Sequence, residues 1–438
     1  MINISELFKL GEKKGLTDLE AYITKNNSVD LKVYEGKVEQ NTISTVSKIS
    51  LRGVYQEKMG EVQFEHISDS TIEHMIDKLI DNAKALTANE PAIIFEGSKS
   101  YRKINTQLFD FDSIETQQKV KDLLLLEKKI RENSHVENLQ AAVYHENSSE
   151  TSIINTKGLN LSRKNTMAYA YAIGVFKDGE EKITAYEVDI FKDYREFDPS
   201  KLASKILEKG LSKIGAKSIE TKEYPVVFSN ETFSDLLSVF LDLFSAEAAL
   251  RNLTPFKEKV NKKIFQEDIN LVDDPFSEKA YFQYSFDDEG VACNKKSIVK
   301  NGIFQGFINN LKTAAMAKTE PTGNGFGGGI SMSNLYLEPG DKNFDQLIEK
   351  IDQGVYITGL AGLHAGVKTI SGEFSLQANG FKIEKGKLSR PVKMIVVSGN
   401  FFELLNSVSG IGNDLKFNTS GVGSPSLHVK KLSISGQK

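Results

Sequence analysis

Apolar residues recur along this chain at two different spacings, and the switches between them mark its elements. Ile4, Leu7, Phe8 and Leu10 lie on one face of a short helix that Gly15 can close. Val29 to Tyr34 alternates towards Glu35-Gly36, and a second alternating run begins at Lys37, which predicts a hairpin. Ser47 to Tyr55 reads as a further strand leading to a turn at Met59-Gly60. Ile72, Met75, Ile76, Leu79, Ile80 and Ala83 return to helical spacing, with Asp69 or Ser70 as the cap. The stretch from Asn89 to Phe111 has weak periodicity and reads as a linker. A helix over Ser113–Glu132 follows, then strands from Val136 to about Lys192 punctuated at Lys157-Gly158 and Asp178-Gly179. A helix over Pro199–Ile214 ends near Gly215.

After a strand at Tyr224–Phe228 comes the most apolar segment, Glu231–Leu250. Phe233, Leu236, Leu237, Val239, Phe240, Leu243 and Phe244 cover most of a helical circumference, which predicts a buried helix. Beyond it the chain is rich in glycine and in strand patterns, with turns expected at Asn301-Gly302, Asn379-Gly380 and Lys385-Gly386. No fixed-period repeat is visible. The expected class is α+β: an N-terminal α/β region with antiparallel strands, and a strand-rich C-terminal domain carrying a buried apolar helix. The expected domains are 1–90, 108–216 and 222–438.

Composition narrows the chemistry. The chain has 438 residues, 55 Lys plus Arg against 59 Asp plus Glu, and a net charge of −4. Only seven of the basic residues are Arg, so nucleic-acid recognition through bidentate guanidinium contacts is not expected. One Cys, six His and no Trp exclude a disulfide scaffold, a zinc ribbon and an iron–sulfur protein. No apolar run has the length of a signal peptide or a membrane span, and the expected compartment is the cytoplasm.

Local motifs offer little catalysis. His145-Glu146 and Glu150 lack a second nearby His and read as a strand–turn–strand connection rather than a zinc helix. His66 and His74 flank a strand-to-helix turn, and His135 sits in a loop. His364 and His428 lie among glycines and serines, with Ser371 and Ser424 as conceivable nucleophiles for a hydrolase, but no nucleophile elbow occurs. The loop Thr322–Gly329 resembles a phosphate cradle without the Gly-Lys-Ser/Thr entry into a helix. Phe286-Asp-Asp-Glu-Gly290 reads as a solvated acidic turn. Cys293 precedes Lys295 and Lys296, whose charges can lower a thiol pKa, and is left as a free thiol.

Several strings together resemble one family. They are Val33-Tyr-Glu-Gly-Lys-Val-Glu-Gln40, Ile154-Asn-Thr-Lys-Gly-Leu-Asn-Leu161, Phe286-Asp-Asp-Glu-Gly-Val291 and Lys300-Asn-Gly-Ile-Phe-Gln-Gly306. They continue with Pro321-Thr-Gly-Asn324, Ser371-Gly-Glu-Phe-Ser375, Arg390-Pro391, Ser398-Gly-Asn400 and Ser420-Gly-Val-Gly-Ser-Pro-Ser426. Their order resembles the TldD/PmbA proteins, in particular the PmbA (TldE) branch. The TldD branch is a zinc metallopeptidase with an H-E-x-x-x-H helix and a later Cys ligand. Carried onto this chain, the resemblance puts Ser238 and Val239 at the first His and the Glu, Leu243 at the second His, and Ile411 at the Cys.

One hydroxyl and three apolar side chains do not make a metal site. The resemblance therefore implies a non-catalytic subunit of a heteromeric metalloprotease that degrades unfolded peptides. Zinc is expected only in a TldD-like partner, with no cofactor in this chain. Peptide capture by strand addition is expected at edges of the Gly-rich C-terminal strands, with Thr322, Gly323, Asn324, Gly325 and His364 as groove residues. The alternative is a stand-alone homodimeric regulatory or binding protein, in the sense of a gyrase modulator, without proteolytic role.

Overall fold

The computed structural model describes residues 3–65, 71–87, 90–104 and 108–437. Asp69, Ser70 and His66 lie outside them. The N-terminal half repeats one arrangement, helix, three antiparallel strands, helix. The first copy comprises α1 (Ile4–Lys13), β1 (Asp18–Tyr34), β2 (Lys37–Tyr55), β3 (Lys58–Phe64) and α2 (Ile72–Ala85). The second comprises α3 (Thr116–Arg131), β4 (Val136–Asn155), β5 (Asn160–Asp178), β6 (Glu181–Phe191) and α4 (Pro199–Leu211). Antiparallel pairing of β1 with β4 fuses both into one six-stranded sheet of order β3-β2-β1-β4-β5-β6.

Alternation decides which face of this sheet is covered. On β1, Leu19 and Ala21 pack with Leu7, Met75 and Leu79 of α1 and α2, whereas Val29, Leu31 and Val33 pack with Leu123, Leu126 and Ile130 of α3. These are all odd positions, so the helices share one face and the even positions Glu20 and Tyr22 point to the other. A buried Lys119–Glu146 ion pair at 2.8 Å joins α3 to the sheet.

Two local expectations fail here. The turn after β2 is at Gln56-Glu57, both with positive φ, and Met59-Gly60 lies inside β3. Gly60 is needed there because a Cβ would stand 2.1 Å from the Leu79 carbonyl oxygen of α2. His145–Glu150 is no turn: β4 runs unbroken for 20 residues, because its Asn and Ser positions pair with β1 on one side and β5 on the other.

The C-terminal region contains two sheets. The larger has β7 (Lys222–Phe228), β12 (Gln353–Ala361), β13 (Val367–Lys368), β14 (Glu373–Glu384), β15 (Lys387–Asn400), β16 (Val408–Ile411) and β19 (Leu427–Gly436). Its order is β12-β7-β19-β15-β14-β13, and β12 also pairs with β14, which closes five strands into a barrel. Closure pairs each of these five strands on both sides over part of its length, while β13 and β16 lie at the margin of the sheet. The smaller sheet has β8 (Leu271–Asp273), β9 (Lys296–Lys300), β10 (Ile303–Phe304), β11 (Leu335–Leu337), β17 (Lys416–Phe417) and β18 (Val422–Ser424). Asn379-Gly380 is not a turn but a bulge inside β14. A Cβ on Gly380 would meet the Tyr356 carbonyl oxygen at 1.8 Å.

The apolar segment after β7 is also interrupted. It forms α5 (Asn230–Ser238), a 3₁₀ turn at Leu241–Phe244, and α6 (Ala246–Leu250). Ser245 leaves the helical path to bridge Ile308, and its hydroxyl caps α6 at the Ala248 amide. Burial is as expected: Phe233, Leu236, Leu237 and Phe240 are fully buried, and Phe240 stacks on Phe401 with centroids 3.9 Å apart. Among the described residues no helix is long and apolar enough to cross a membrane.

Candidate functional site

The chemistry-bearing side chains converge where the helix-free face of the N-terminal sheet meets two loops of the C-terminal region. One loop is the acidic run 286–290, the other the Gly-rich run 322–329. The Asp287 carboxylate accepts from the backbone N–H groups of Glu289 (3.0 Å), Val291 (2.9 Å) and Gly325 (2.8 Å). Asp288 accepts from Tyr22 Oη (2.8 Å), Arg163 Nη2 (2.5 Å) and the Gly327 amide (2.9 Å). Glu289 accepts from the Leu311 amide at 2.7 Å and lies 3.7 Å from Arg52, which holds the buried Glu20 at 2.5 Å. The amides of the Gly-rich loop thus bind the chain's own carboxylates, as such a loop would bind a phosphate.

Beneath them sits Asp273, fully buried. It accepts from Asn324 Nδ2 (2.9 Å), the Ser333 amide (2.8 Å) and hydroxyl (2.7 Å) and the Asn334 amide (2.9 Å), and pairs with Lys296 at 3.2 Å. Asp288 and Glu289 tie the acidic run to the N-terminal sheet, while Asp287 and Asp273 tie the two loops to each other and to their own region. Burial, with the charge of Asp288, pushes the Tyr22 hydroxyl up to about 12, so it stays a donor. Burial also raises Asp287 to about 7, with the three N–H donors pulling the other way.

Above this seam opens a cleft of about 970 Å³. Its walls are Ser50, Arg52, Glu61 and Gln63 of the sheet, Leu86, Pro91 and Ile93 of the connection, and Lys312 with Gly325 and Gly327–Gly329 opposite. It combines an apolar wall, both charge signs and a glycine backbone.

The acidic run is therefore not a solvated turn, since Asp287 is fully buried. Its sequence offered no sign of the partners Tyr22, Arg52 and Arg163, although a charged Glu20 between the core residues Leu19 and Ala21 was a signal. Cys293 is buried, its thiol against the Gly323 carbonyl at 3.3 Å, and burial with nearby Asp287 pushes the thiol up despite Lys296.

Of the groove candidates, Gly325 lines the cleft, whereas Thr322, Gly323 and Asn324 are taken up internally. The Thr322 hydroxyl accepts from the Asn309 amide at 2.7 Å and donates to Asn324 at 2.8 Å. Asn324 is fully buried. His364 is exposed in the turn between β12 and β13 and is not among the residues that line the cleft. His428 pairs across β19 with β7 and β16, and burial lowers its pKa. Ser424 is buried and donates to the Pro425 carbonyl, so the two form no nucleophile pair. His74 and His135 are exposed on the surface.

The positions that resemblance assigns to a metal lie elsewhere. Ser238 opens onto a smaller pocket of about 310 Å³ with Leu241, Asp242, Ser245, Ile308, Met332 and Val422. The Ser238 hydroxyl is spent on the Asp235 carbonyl at 2.7 Å. Leu243 is buried in the main apolar core, against which Val239 and Ile411 also pack. This donor set does not fit zinc, which requires imidazole, thiolate or carboxylate ligands.

Comparison with known proteins follows the same outline. Models of domain 1, the central domain and the C-terminal domain of PmbA/TldA metallopeptidases match residues 19–83, 109–214 and 221–436. A metalloprotease PmbA homolog of Buchnera aphidicola is 24 % identical over 95 % of this chain and 93 % of its own. A crystal structure from Thermotoga maritima, described as a candidate modulator of a DNA gyrase, is 29 % identical and superposes with a TM-score of 0.91, covering 99 % of both chains. TldE from Thermococcus kodakarensis, 24 % identical, has the same fold with a TM-score of 0.89 over 99 % of this chain and 100 % of its own.

Proposed function

Because the chain belongs to the PmbA/TldD metallopeptidase family, on its PmbA/TldE branch, we propose that it is the non-catalytic subunit of a heteromeric protease. In this reading a TldD-like chain supplies the zinc and cleaves unfolded peptides, and the present chain carries no cofactor. The observation that supports it is the donor set at Ser238, Val239, Leu243 and Ile411, which offers a single, already bonded hydroxyl. The interdomain cleft, with Gly325 and Gly327–Gly329 on one wall, is the surface we assign to an extended peptide. The test is cleavage of an unstructured peptide by the TldD-like chain alone, by this chain alone and by their mixture. The mixture is expected to be the active form. Equal activity of the TldD-like chain without this subunit overturns the assignment.

A further inference from the structure

The side chains around the pocket beside Ser238 can accept hydrogen bonds from a ligand but have no proton left to give one. Its apolar wall is Leu241, Ile308, Ile330, Met332 and Val422, of which Ile308, Met332 and Val422 are buried. Its polar residues are Ser238, Ser245, Ser331, Ser420 and Asp242. A serine hydroxyl has a single proton, and each of these is committed. Ser238 Oγ donates to the Asp235 carbonyl at 2.7 Å and Ser245 Oγ to the Asp242 carbonyl at 2.9 Å. Ser331 Oγ donates to the Met332 carbonyl at 3.2 Å and Ser420 Oγ to Asn418 Oδ1 at 2.8 Å. Among the described residues, no Lys, Arg, His, Asn or Gln lines the pocket.

Asp242 adds a negative charge that nothing nearby answers. It is exposed on the 3₁₀ turn Leu241–Phe244, and among the described residues none donates to its carboxylate or forms an ion pair with it. The carboxylates of the seam, by contrast, each have several donors. A ligand carrying a carboxylate or phosphate would meet only lone pairs and a like charge in this pocket. A neutral alcohol or amide would suit the oxygens and leave the carboxylate unmatched. A cation with several N–H donors on a short apolar chain matches wall, oxygens and carboxylate at once. About 310 Å³ lies at the small end of ligand sites and suits a chain of a few carbons.

We propose that this pocket binds a primary ammonium group carried on a short branched aliphatic chain. The N–H donors go to Asp242 and the serine oxygens, and the methyl groups go to Ile308, Met332 and Val422. Two sources carry that chemistry: a free alkylamine, and the amino end of a peptide whose first side chain is apolar. Gly327–Gly329 line the large cleft and Ile330–Met332 line this pocket, so one run of chain carries both cavities. Ser238 contributes only an oxygen here, and the selectivity rests on Asp242.

The test uses the full chain alone, without any partner, so it is independent of the protease reading. The chain, labelled at its Ile and Met methyl groups, is titrated with isoamylamine and followed by NMR. Saturable shifts are expected at Ile308, Ile330 and Met332, with half-saturation at about 1–10 mM. Isoamyl alcohol and isovalerate, which share the apolar chain without the positive charge, are expected to bind about fivefold or more weakly. Asp242→Asn alters only an exposed side chain and keeps the backbone carbonyl that Ser245 bonds. It is expected to weaken the amine by the same factor with an unchanged melting temperature. Binding of Leu-Gly-Gly amide, lost on N-acetylation, identifies the source as a peptide's amino end, and binding of isoamylamine alone identifies it as a free amine. The proposal is overturned if these methyls show no saturable shift, if the alcohol or isovalerate binds as tightly as the amine, or if the amine's affinity survives Asp242→Asn.

Discussion

The large cleft and the small pocket at Ser238 differ in the charges they carry. The large cleft stands on a seam of buried carboxylates, each with several donors, and crosses from the N-terminal sheet to the C-terminal loops. The small pocket at Ser238 is walled by Leu241, Ile308, Ile330, Met332 and Val422 together with the hydroxyls of Ser238, Ser245, Ser331 and Ser420, and Asp242 is its one charged residue. Ionisable groups are costly to bury and are kept where they are paired. Here Asp288 and Glu289 are spent on fixing one region against the other and Asp287 and Asp273 on the loops themselves, while Val239, Leu243 and Ile411, at positions that the resemblance assigns to a metal site, are taken up by packing.

That contrast can be broken by substitution. The largest effect is expected at Asp273, whose removal strands several buried donors and Lys296. Asp273→Ala should lower the unfolding free energy by about 3–5 kcal/mol in denaturant titration. An unchanged midpoint would show that the seam is not what holds the loops.

Asp287 gives a pH test. Its carboxyl is raised by burial to about 7, against an ordinary value of 3.8. Between those values the folded chain retains a proton that the unfolded chain has released, so this group's contribution to stability falls as pH rises through the window. Comparing wild type with Asp287→Asn should show that slope in the wild type and its loss in the variant. Parallel curves would contradict the shift.

A smaller loss is expected at the rim. Asp288→Asn leaves Arg163 without its charged partner but keeps an acceptor for Tyr22, and should cost about 1–3 kcal/mol. The loss should appear as faster amide exchange in residues 322–329 rather than as global unfolding. Smallest of all is Ser238→Ala, which gives up one hydrogen bond to Asp235 and should cost about 1 kcal/mol or less. A large effect there, on stability or on peptide cleavage by the mixture, would mean that the pocket carries more than packing.

Short-range patterning in the sequence anticipated the α+β class, the β1–β2 hairpin and the helices at Ile72–Ala85 and Pro199–Leu211. Those elements depend on alternation and capping within a few residues. The fusion of both repeats into one sheet was invisible, because Val29 pairs with Glu146 and no local signal spans that separation. The break after Ser238 was hidden by apolar residues that continue across it. Gly380 looked like a turn because Asn-Gly usually is one, whereas here it admits a neighbouring carbonyl. At the seam, Asp287 and Asp288 read as a cluster, but the Asp288 partners Tyr22 and Arg163 come from the N-terminal sheet, far away in sequence. The acidic run therefore read as solvent-exposed.

The central claim is that this chain does not hold the catalytic metal of its family. Elemental analysis of the full-length protein, purified alone after exposure to excess zinc and exhaustive dialysis, tests it most directly. The account predicts zinc far below one equivalent per chain. Stoichiometric, tightly retained zinc would contradict it.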